Sequence, residues 1–159
     1  MATIFTRKGQ PIQVDDSDYE ALSRHTWRLD KDGYVQRTIK LPSGKNGVQA
    51  MHRQIMGCEL LDNRVIDHAN RNKADNRREN LRECSVAENA WNQTLRIDNS
   101  SGYKGVHFNN EKRKWQARIR TGEGKRTHLG YFDTVEDAHE FYCLAADMIH
   151  GAFANHGVA

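Results

Sequence analysis

The sequence of 159 residues predicts an α+β protein built from several small antiparallel sheets and a few helices. Along most of the chain, short runs rich in β-branched and aromatic residues end in turn signals, which is typical of strands in small sheets. Near the C-terminus, apolar residues from Val135 to Ile149 recur instead at the spacing of one helix face. We therefore expect a short β-rich leader, a small ββα core, and a three-stranded antiparallel sheet packed on one helix.

Composition limits the size of the core and indicates the kind of partner. Hydrophobic residues make up 37% of the chain, and the mean hydropathy of −0.87 predicts a thin, divided core. The formal net charge is only +3, but residues 104–128 hold eight Lys and Arg against two Glu. Residues 133–147 hold five acids and no Lys or Arg. This segregation predicts a basic face, which favours a polyanionic partner.

The three cysteines, Cys58, Cys84 and Cys143, lie far apart and form no CxxC pair. Their spacing argues against a disulfide framework and against a zinc knuckle. No stretch approaches the roughly 20 apolar residues of a membrane span, and the N-terminus shows no apolar signal segment. We expect a soluble protein of the reducing cytosol with no membrane partner.

Short strands around one small helix are predicted for residues 1–50. Ile12–Val14 alternates as a strand does, and an Asp-rich cap precedes a helix over Tyr19–Arg24. Trp27–Leu29 and Tyr34–Ile39 should pair as a hairpin, because the segment between them contains Asp-Gly.

A short helix over Met51–Met56 should follow and end at Gly57. On it, His52 is more typical of a packing residue than of a ligand, whereas Arg53 is a candidate for a phosphate contact. Arg37, on the preceding hairpin, is a second such candidate. The alternative for Arg37 is a place on a solvated hairpin face.

A strand, a polar loop, a second strand and a helix are predicted between Arg64 and Gln93. Val65-Ile66 is β-branched and begins the first strand, and Leu81–Cys84 forms the returning strand. Ser85 and Glu88 form a capping box, so a helix should begin directly after Ser85. In such a ββα unit the end of the first strand can converge with the start of the helix.

The residues that would converge there suit the hydrolysis of a phosphodiester. The Asp67 carboxylate and the Asn89 amide oxygen are ligands for Mg²⁺ or Mn²⁺ rather than Zn²⁺, and we expect one ion per site. His68, with an unperturbed pKa near ~6.5, can take a proton from water. Asn80 can hydrogen-bond to backbone and hold the loop after His68. The charge for binding phosphate would come from Arg71, Lys73, Arg77, Arg78 and Arg82.

At these residues the chain resembles the HNH endonucleases, the His-Me finger or ββα-metal nucleases, and in particular the H-N-N variant of phage and homing endonucleases. The resemblance covers residues 10–93, and the motifs that carry it are Asp67-His68, Asn80-Leu81-Arg82 and Glu88-Asn89 with Asn92. It implies that His68 is the general base, that Asp67 and Asn89 bind the metal, and that Asn80 is the structural middle Asn. Many family members have His where this chain has Asn89.

Residues 94–102 are polar and end in Asn-Ser-Ser-Gly, which predicts a linker. Three strands are then predicted, over Lys104–Phe108, Lys114–Arg120 and Thr127–Phe132, and a helix starts at Asp133-Thr134. Because the acidic residues lie on the outer face of that helix, the basic charge should lie on the sheet.

This part of the chain resembles the plant ethylene-response-factor (Apetala-two-type) DNA-binding domain. The resemblance is carried by Tyr103–Val106, Lys114–Arg120, Leu129–Phe132, Thr134 with Ala138, and Ala145-Ala146 with Gly151. In that family the sheet lies in the major groove, which implies DNA contacts by Lys104, His107, Trp115, Arg118, Arg120 and His128. His107 and His128 stand where plant domains have Arg and Trp, and Arg118 stands where they have Glu, so the plant target sequence does not transfer. For Trp115, packing on the helix is the alternative.

The predicted organisation is a nuclease domain at 1–93, a linker at 94–102 and a DNA-binding domain at 103–159. The favoured hypothesis is a phage-type enzyme of the host cytoplasm that cleaves double-stranded DNA and leaves 5′-phosphate and 3′-hydroxyl ends. The alternative is a non-catalytic DNA-binding protein with a decayed nuclease core. A zinc-stabilised module is disfavoured, because no four Cys or His ligands have workable spacing. The recognition sequence, the number of strands cut, and the choice between monomer and dimer stay open.

Overall fold

The structure, a computed structural model, describes residues 1–60, 62–95, 97–122 and 124–157. The chain divides into two compact units, Met1–Cys84 and Ser85–Ala159. Both units combine helices with small antiparallel sheets, which confirms the predicted α+β class. No helix within the described ranges is long and apolar enough to cross a membrane.

The first unit contains three small antiparallel sheets and two short helices. The first sheet and the helix after it are β1 (Ala2–Phe5), β2 (Pro11–Val14) and α1 (Asp16–Ser23). The second sheet, in the order β3-β4-β5, and its helix are β3 (Arg28–Leu29), β4 (Val35–Lys40), β5 (Asn46–Ala50) and α2 (Met51–Ile55). The third sheet pairs β6 (Val65–His68) with β7 (Leu81–Cys84), and a 3₁₀ turn at Arg78–Asn80 precedes β7.

One hydrophobic core joins these sheets. Trp27 is fully buried at its centre, and its indole Nε1 donates a hydrogen bond of 2.8 Å to the carbonyl oxygen of Leu22. Ile66 and Leu81, from the two strands of the third sheet, belong to the same core. The core therefore supports the strand that carries Asp67 and His68.

Three features of the first unit differ from the sequence prediction. Helix α1 begins at Asp16 rather than Tyr19, and Asp15 makes no side-chain cap. The Asp15 carboxylate instead accepts a hydrogen bond of 2.8 Å from the backbone N–H of Arg78, a partner 63 residues away. Strands β1 and β5 were not predicted, because a short strand with few buried residues is defined by the strand it pairs with.

The second unit is a capped helix followed by a sheet packed on a longer helix. Its elements are α3 (Val86–Asn92), β8 (Val106–Asn109), β9 (Lys114–Arg120), β10 (Arg126–Phe132) and α4 (Val135–His150). The capping box is confirmed: Glu88 N–H donates to Ser85 Oγ at 3.2 Å, and Ser85 N–H donates to Glu88 Oε2 at 2.7 Å. The three strands form an antiparallel sheet, as predicted, and the structure shows their order to be β8-β9-β10.

Helix α4 packs its small residues and Tyr142 against the sheet. Gly105, just before β8, has φ +74°, and a Cβ at that position would lie 2.1 Å from the Tyr142 ring. Glycine is therefore required there both by the backbone conformation and by the close approach of the ring.

Helix α3 groups with the second unit, whereas the sequence places the domain boundary after residue 93. The Trp91 ring stacks on the His150 ring, with the two ring centroids 4.2 Å apart. Asn155 Nδ2 donates a hydrogen bond of 2.6 Å to the carbonyl oxygen of Asn92. The predicted linker at 94–102 is also part of this unit where it is described, and Ser101 Oγ donates 2.7 Å to the Val106 carbonyl. Residue 96 lies outside the described residues.

Candidate active site

Strand β6 ends on the two residues that the sequence singles out. Asp67 is 8% exposed and His68 is 3% exposed. The chain turns directly after His68, whose carbonyl accepts a hydrogen bond of 2.9 Å from Arg71 N–H, and Arg71 has a left-handed φ of 66°. This turn ends strand β6 at His68.

The loop between β6 and β7 is held by Asn80, as expected. Asn80 Oδ1 accepts a hydrogen bond of 2.9 Å from the backbone N–H of Asn70, and Asn80 Nδ2 donates a hydrogen bond of 2.7 Å to the carbonyl oxygen of Asp75. Asn80 is 5% exposed, so these bonds form away from water, where losing a partner is costly. Its part in catalysis stays a prediction.

Asp75 and Arg77 form a second set of fixed contacts in this loop. The Asp75 side chain accepts hydrogen bonds of 2.8 and 2.7 Å from the Arg77 guanidinium, and one of 2.8 Å from Asn70 Nδ2. These bonds, with Arg77 first, lower the pKa of the Asp75 carboxyl. Asp75 is 1% exposed and bridges to Gln13 of β2, so the loop is tied to the first sheet.

The His68 imidazole lies in a buried cluster. Its Nε2 is 3.4 Å from Oδ1 of Asn76, which is fully buried, and its ring centroid lies 5.1 Å from that of His52 and 6.1 Å from that of Tyr34. Burial lowers the pKa of His68, while Asn76 and the Asp67 charge act in the opposite direction. A lowered pKa leaves the imidazole neutral near pH 7, which is the form that accepts a proton.

His52 is buried beside His68, which agrees with the packing role expected for it. Burial, followed by the charges of His68 and Arg53, lowers the pKa of His52 from 6.5 to about 4. Below pH 6.5 the unfolded chain therefore binds a proton that the folded chain refuses.

We expect the free energy of unfolding to fall by about 2 kcal/mol as the pH decreases from 7 to near 5, because of His52 alone. Urea denaturation across this range measures the slope. His52→Leu should flatten it relative to the wild type. Equal slopes in the two proteins would contradict the burial of a neutral His52.

The Asp67 carboxylate faces Arg82 across the β6–β7 pair. Asp67 Oδ2 accepts hydrogen bonds of 3.0 and 2.8 Å from Arg82 Nε and Nη2. Mg²⁺ and Mn²⁺ take hard oxygen donors, so the Asp67 carboxylate and the Asn89 amide each suit such an ion by their chemistry. Binding of a metal at Oδ2 would require the ion pair with Arg82 to loosen.

Asn89 lies on α3, in the second unit. The first unit by itself thus brings together Asp67, His68 and Asn80, but not the second predicted metal ligand. Among the residues that the structure describes, no group of three or more His, Cys, Asp or Glu could hold a metal ion.

The guanidinium groups of most predicted phosphate contacts already bind protein partners. Arg78 donates hydrogen bonds of 2.8 and 2.7 Å to the Asp18 carboxylate. The Arg53 guanidinium donates hydrogen bonds of 2.6 Å to the carbonyl oxygens of Arg64 and Asp62, which is a structural role. Their contacts with phosphate stay predictions.

Arg37 and Arg71 lie nearer to the surface of the first unit. Arg37 Nε donates 3.1 Å to Gln54 Oε1, and its guanidinium lies 5.7 Å from the centre of the Trp27 ring. Arg71 is exposed at the turn after His68. Lys73, two residues later, lies over the Tyr34 ring at 4.2 Å.

In the second unit, the sheet face opposite α4 collects polar and basic side chains. His107 pairs with Gln116 across β8 and β9, and His128 pairs with Arg118 across β9 and β10. Gln116 Nε2 lies 2.7 Å from His128 Nδ1, and Arg120 follows on the same side of β9. The basic charge of the unit therefore lies on the sheet, as predicted.

Two predicted DNA contacts of the second unit have other roles in the structure. Trp115 packs with Val106 and Ala117 in the core, so the alternative of packing toward the helix is the one observed. Lys104 Nζ donates hydrogen bonds of 2.6 and 2.8 Å to the carbonyl oxygens of Trp91 and Gln93, respectively. The signal for Trp115 was available, because strand alternation groups it with Ala117.

Sequence reasoning did not identify Asp75, Asn76 and Tyr34 as parts of the site. The Asn- and Asp-rich loop indicated side-chain to backbone bonding in general. It did not indicate that Asp75 and Asn76 would be buried, because their burial depends on the contact of the loop with β2.

Comparisons with known proteins find a family match and two viral relatives. The sequence profile of the HNH endonuclease family matches residues 58–91. An uncharacterized HNH endonuclease of Acanthamoeba polyphaga mimivirus is 27% identical over 149 residues, which is 92% of this chain and 74% of that protein. Protein 3.8 of Escherichia phage T7 is 33% identical over 89 residues, which is 56% of this chain and 72% of that protein. No solved structure matches the chain significantly. The chain therefore belongs to the same family as phage T7 protein 3.8 and carries an HNH endonuclease domain at residues 58–91.

Proposed function

We propose that this protein is a metal-dependent endonuclease that hydrolyses phosphodiester bonds of double-stranded DNA. The observation that carries the proposal is the buried Asp67-His68 pair at the end of β6, followed by a loop that Asn80 and Asp75 hold in place. This arrangement lies inside the HNH endonuclease domain. The relatives in a phage and a giant virus support a phage-type role inside the host cell.

His68 is proposed to act as the general base. Its imidazole is kept neutral by burial and lies beside Asn76, so it can take a proton from the water that attacks phosphorus. Asn80 acts through the loop: it fixes the backbone after His68 and thereby the position of the ring. Cleavage by this route leaves 5′-phosphate and 3′-hydroxyl ends.

Asp67 and Asn89 are the residues proposed to hold one Mg²⁺ or Mn²⁺ ion. When bound, such an ion would supply a Lewis acid for the scissile phosphate and for the leaving 3′ oxygen. The remaining charge on the phosphate would be met by arginines of the same domain, among them Arg71, which lies exposed at the turn after His68.

Supercoiled plasmid should be nicked in the presence of Mg²⁺ or Mn²⁺ and should stay intact with EDTA. Ligation of the nicks without prior end treatment checks the expected 5′-phosphate and 3′-hydroxyl ends. Asp67→Asn should raise the metal concentration needed for half-maximal cleavage, because a neutral amide binds a hard cation less well than a carboxylate. Cleavage that continues unchanged in EDTA would refute the metal role.

The alternative is a DNA-binding protein without catalytic activity. The ion pair between Arg82 and Asp67 favours it, because the guanidinium occupies an oxygen that the metal would need. DNA binding without nicking in either metal would establish this alternative.

The open sheet face of the second unit is proposed to bind the DNA backbone. The double variant Arg118→Gln with Arg120→Gln should weaken binding to all sequences. The slope of log affinity against log salt is negative, and its magnitude should decrease by about 0.9 for each phosphate that the protein no longer neutralises. Lys112→Gln with Arg113→Gln, in the exposed β8–β9 turn, is the charge-matched control. If the two variants change the slope equally, the face is not a binding surface.

A further inference from the structure

A second basic surface lies in the first unit, and of its residues only Arg37 is among the phosphate contacts that the sequence predicts. It is a cleft of about 440 Å³ lined by Arg7, Arg24, His25, Thr26, Trp27, Arg28, Arg37 and Thr38. Half of these residues are arginines, and among the described residues that line the cleft none is Asp or Glu.

Three separate parts of the chain build this cleft around Trp27. The turn after β1 is held against it by a hydrogen bond of 3.2 Å from Arg7 N–H to the Trp27 carbonyl. Arg28 Nη1 donates 2.8 Å to Thr38 Oγ1 across the β3–β4 pair. Because these are backbone and cross-strand contacts, the cations are placed by the fold rather than by local sequence.

Positive charge in the cleft is poorly offset by the protein. Arg24 contacts the carboxylate of Glu20 on its own helix, but both side chains are largely exposed, and such pairs contribute little. The pKa of His25 is lowered, first by burial and then by the charges of Arg37 and Arg24. Like charges held together in this way favour an anion that binds between them.

The position of the cleft suits DNA that is held at the nuclease site. Strand β4 connects the two places: Tyr34, just before the strand, contacts His68, and Arg37 and Thr38 line the cleft. Three residues of strand span about 10 Å, which is roughly three base-pair rises along one DNA strand.

We propose that this arginine cleft binds the phosphodiester backbone of duplex DNA beside the bond that is cut. The guanidinium fork matches two phosphate oxygens at once, and contacts with phosphate carry no sequence information. It would therefore add affinity without sequence preference. The inference rests on the proposed nuclease function for its ligand, but not on catalysis.

The test measures binding of a labelled DNA duplex by fluorescence anisotropy at a series of salt concentrations, in a His68→Ala background that does not cut. The double variant Arg7→Gln with Arg28→Gln should decrease the magnitude of the slope of log affinity against log salt by about 2, since each phosphate contact contributes about 0.9. The charge-matched control is Lys31→Gln with Lys45→Gln, which removes two exposed cations outside the cleft and should leave the slope unchanged. The double variant Arg7→Lys with Arg28→Lys should keep most of the wild-type slope, because both positive charges are retained.

Equal slopes for the cleft variant and the lysine control would overturn the cleft as a DNA site. A lowered slope in the cleft variant and also in its Lys-for-Arg version, with a reduced melting temperature, would assign the effect to folding and overturn it too. Plasmid nicking by the protein with intact His68 is scored separately. The cleft can thus fail while the nuclease function stands, or hold in a protein that does not cut.

Discussion

Replacing His68 by alanine should lower the rate of DNA cleavage by about 100- to 10,000-fold, the contribution typical of a general base. The side chain is 3% exposed, has a lowered pKa, and lies beside Asn76. DNA binding should be retained, because the proposed phosphate contacts lie on other residues. Single-turnover cleavage of a plasmid measures the rate, and anisotropy with a duplex measures the binding.

A base and a purely structural histidine are separated by chemical rescue. Added imidazole should restore part of the cleavage by His68→Ala, since it can enter the space left by the ring and take the proton. His156→Ala is the control, because it removes a more exposed histidine of the second unit and should cleave at the wild-type rate. If imidazole gives no rescue and the variant also loses thermal stability, His68 is a packing residue.

Replacing Asp75 by alanine should destabilise the protein by about 3 kcal/mol, near the lower end of the range for breaking a buried ion pair. The loss is large because Asp75 is 1% exposed and its removal takes the acceptor from Nε and Nη2 of Arg77 and from the Asn70 amide, while Nη1 of Arg77 keeps Glu79. It stays near the lower end because the Arg77 side chain is 26% exposed and keeps some water. Urea denaturation at neutral pH measures the difference.

The Asp62–Arg64 pair offers a matched control, since it has the same spacing along the chain. Both of its side chains are more exposed than those of the Asp75–Arg77 pair. Asp62→Ala should therefore destabilise the protein much less than Asp75→Ala. Asp75→Asn, which keeps the shape and removes the charge, should fall between the two alanine variants. Equal losses for Asp62→Ala and Asp75→Ala would mean that burial does not set the strength of the loop contact.

Features that depend on neighbouring residues could be predicted from the sequence. The capping box of Ser85 and Glu88 and the start of α3 need only four consecutive residues, and both are confirmed. The apolar stripe of α4 is likewise a local pattern. The hydrogen bonds of Asn80 could be expected because a buried Asn in a polar loop has backbone groups within reach.

Features that depend on distant partners could not be predicted. Asp75 and Asn76 become buried because the loop bridges to Gln13, and the Asn76 N–H donates 2.8 Å to the Gln13 carbonyl. Arg53 looked like a phosphate ligand in the sequence, whereas the fold places it on the carbonyls of the segment before β6. In each case the deciding partner lies at least nine residues away.

The sequence by itself determined which chemical groups are available: an Asp-His pair, two asparagines, a capped helix and a basic sheet. Their types and spacing follow from local propensity and from motif, so they are readable without coordinates. Only the tertiary structure decided that His68 is buried against His52, that Arg82 holds Asp67, and that α3 packs with the second unit. These contacts depend on which surfaces meet when distant segments bury their apolar sides together, and that information is not local.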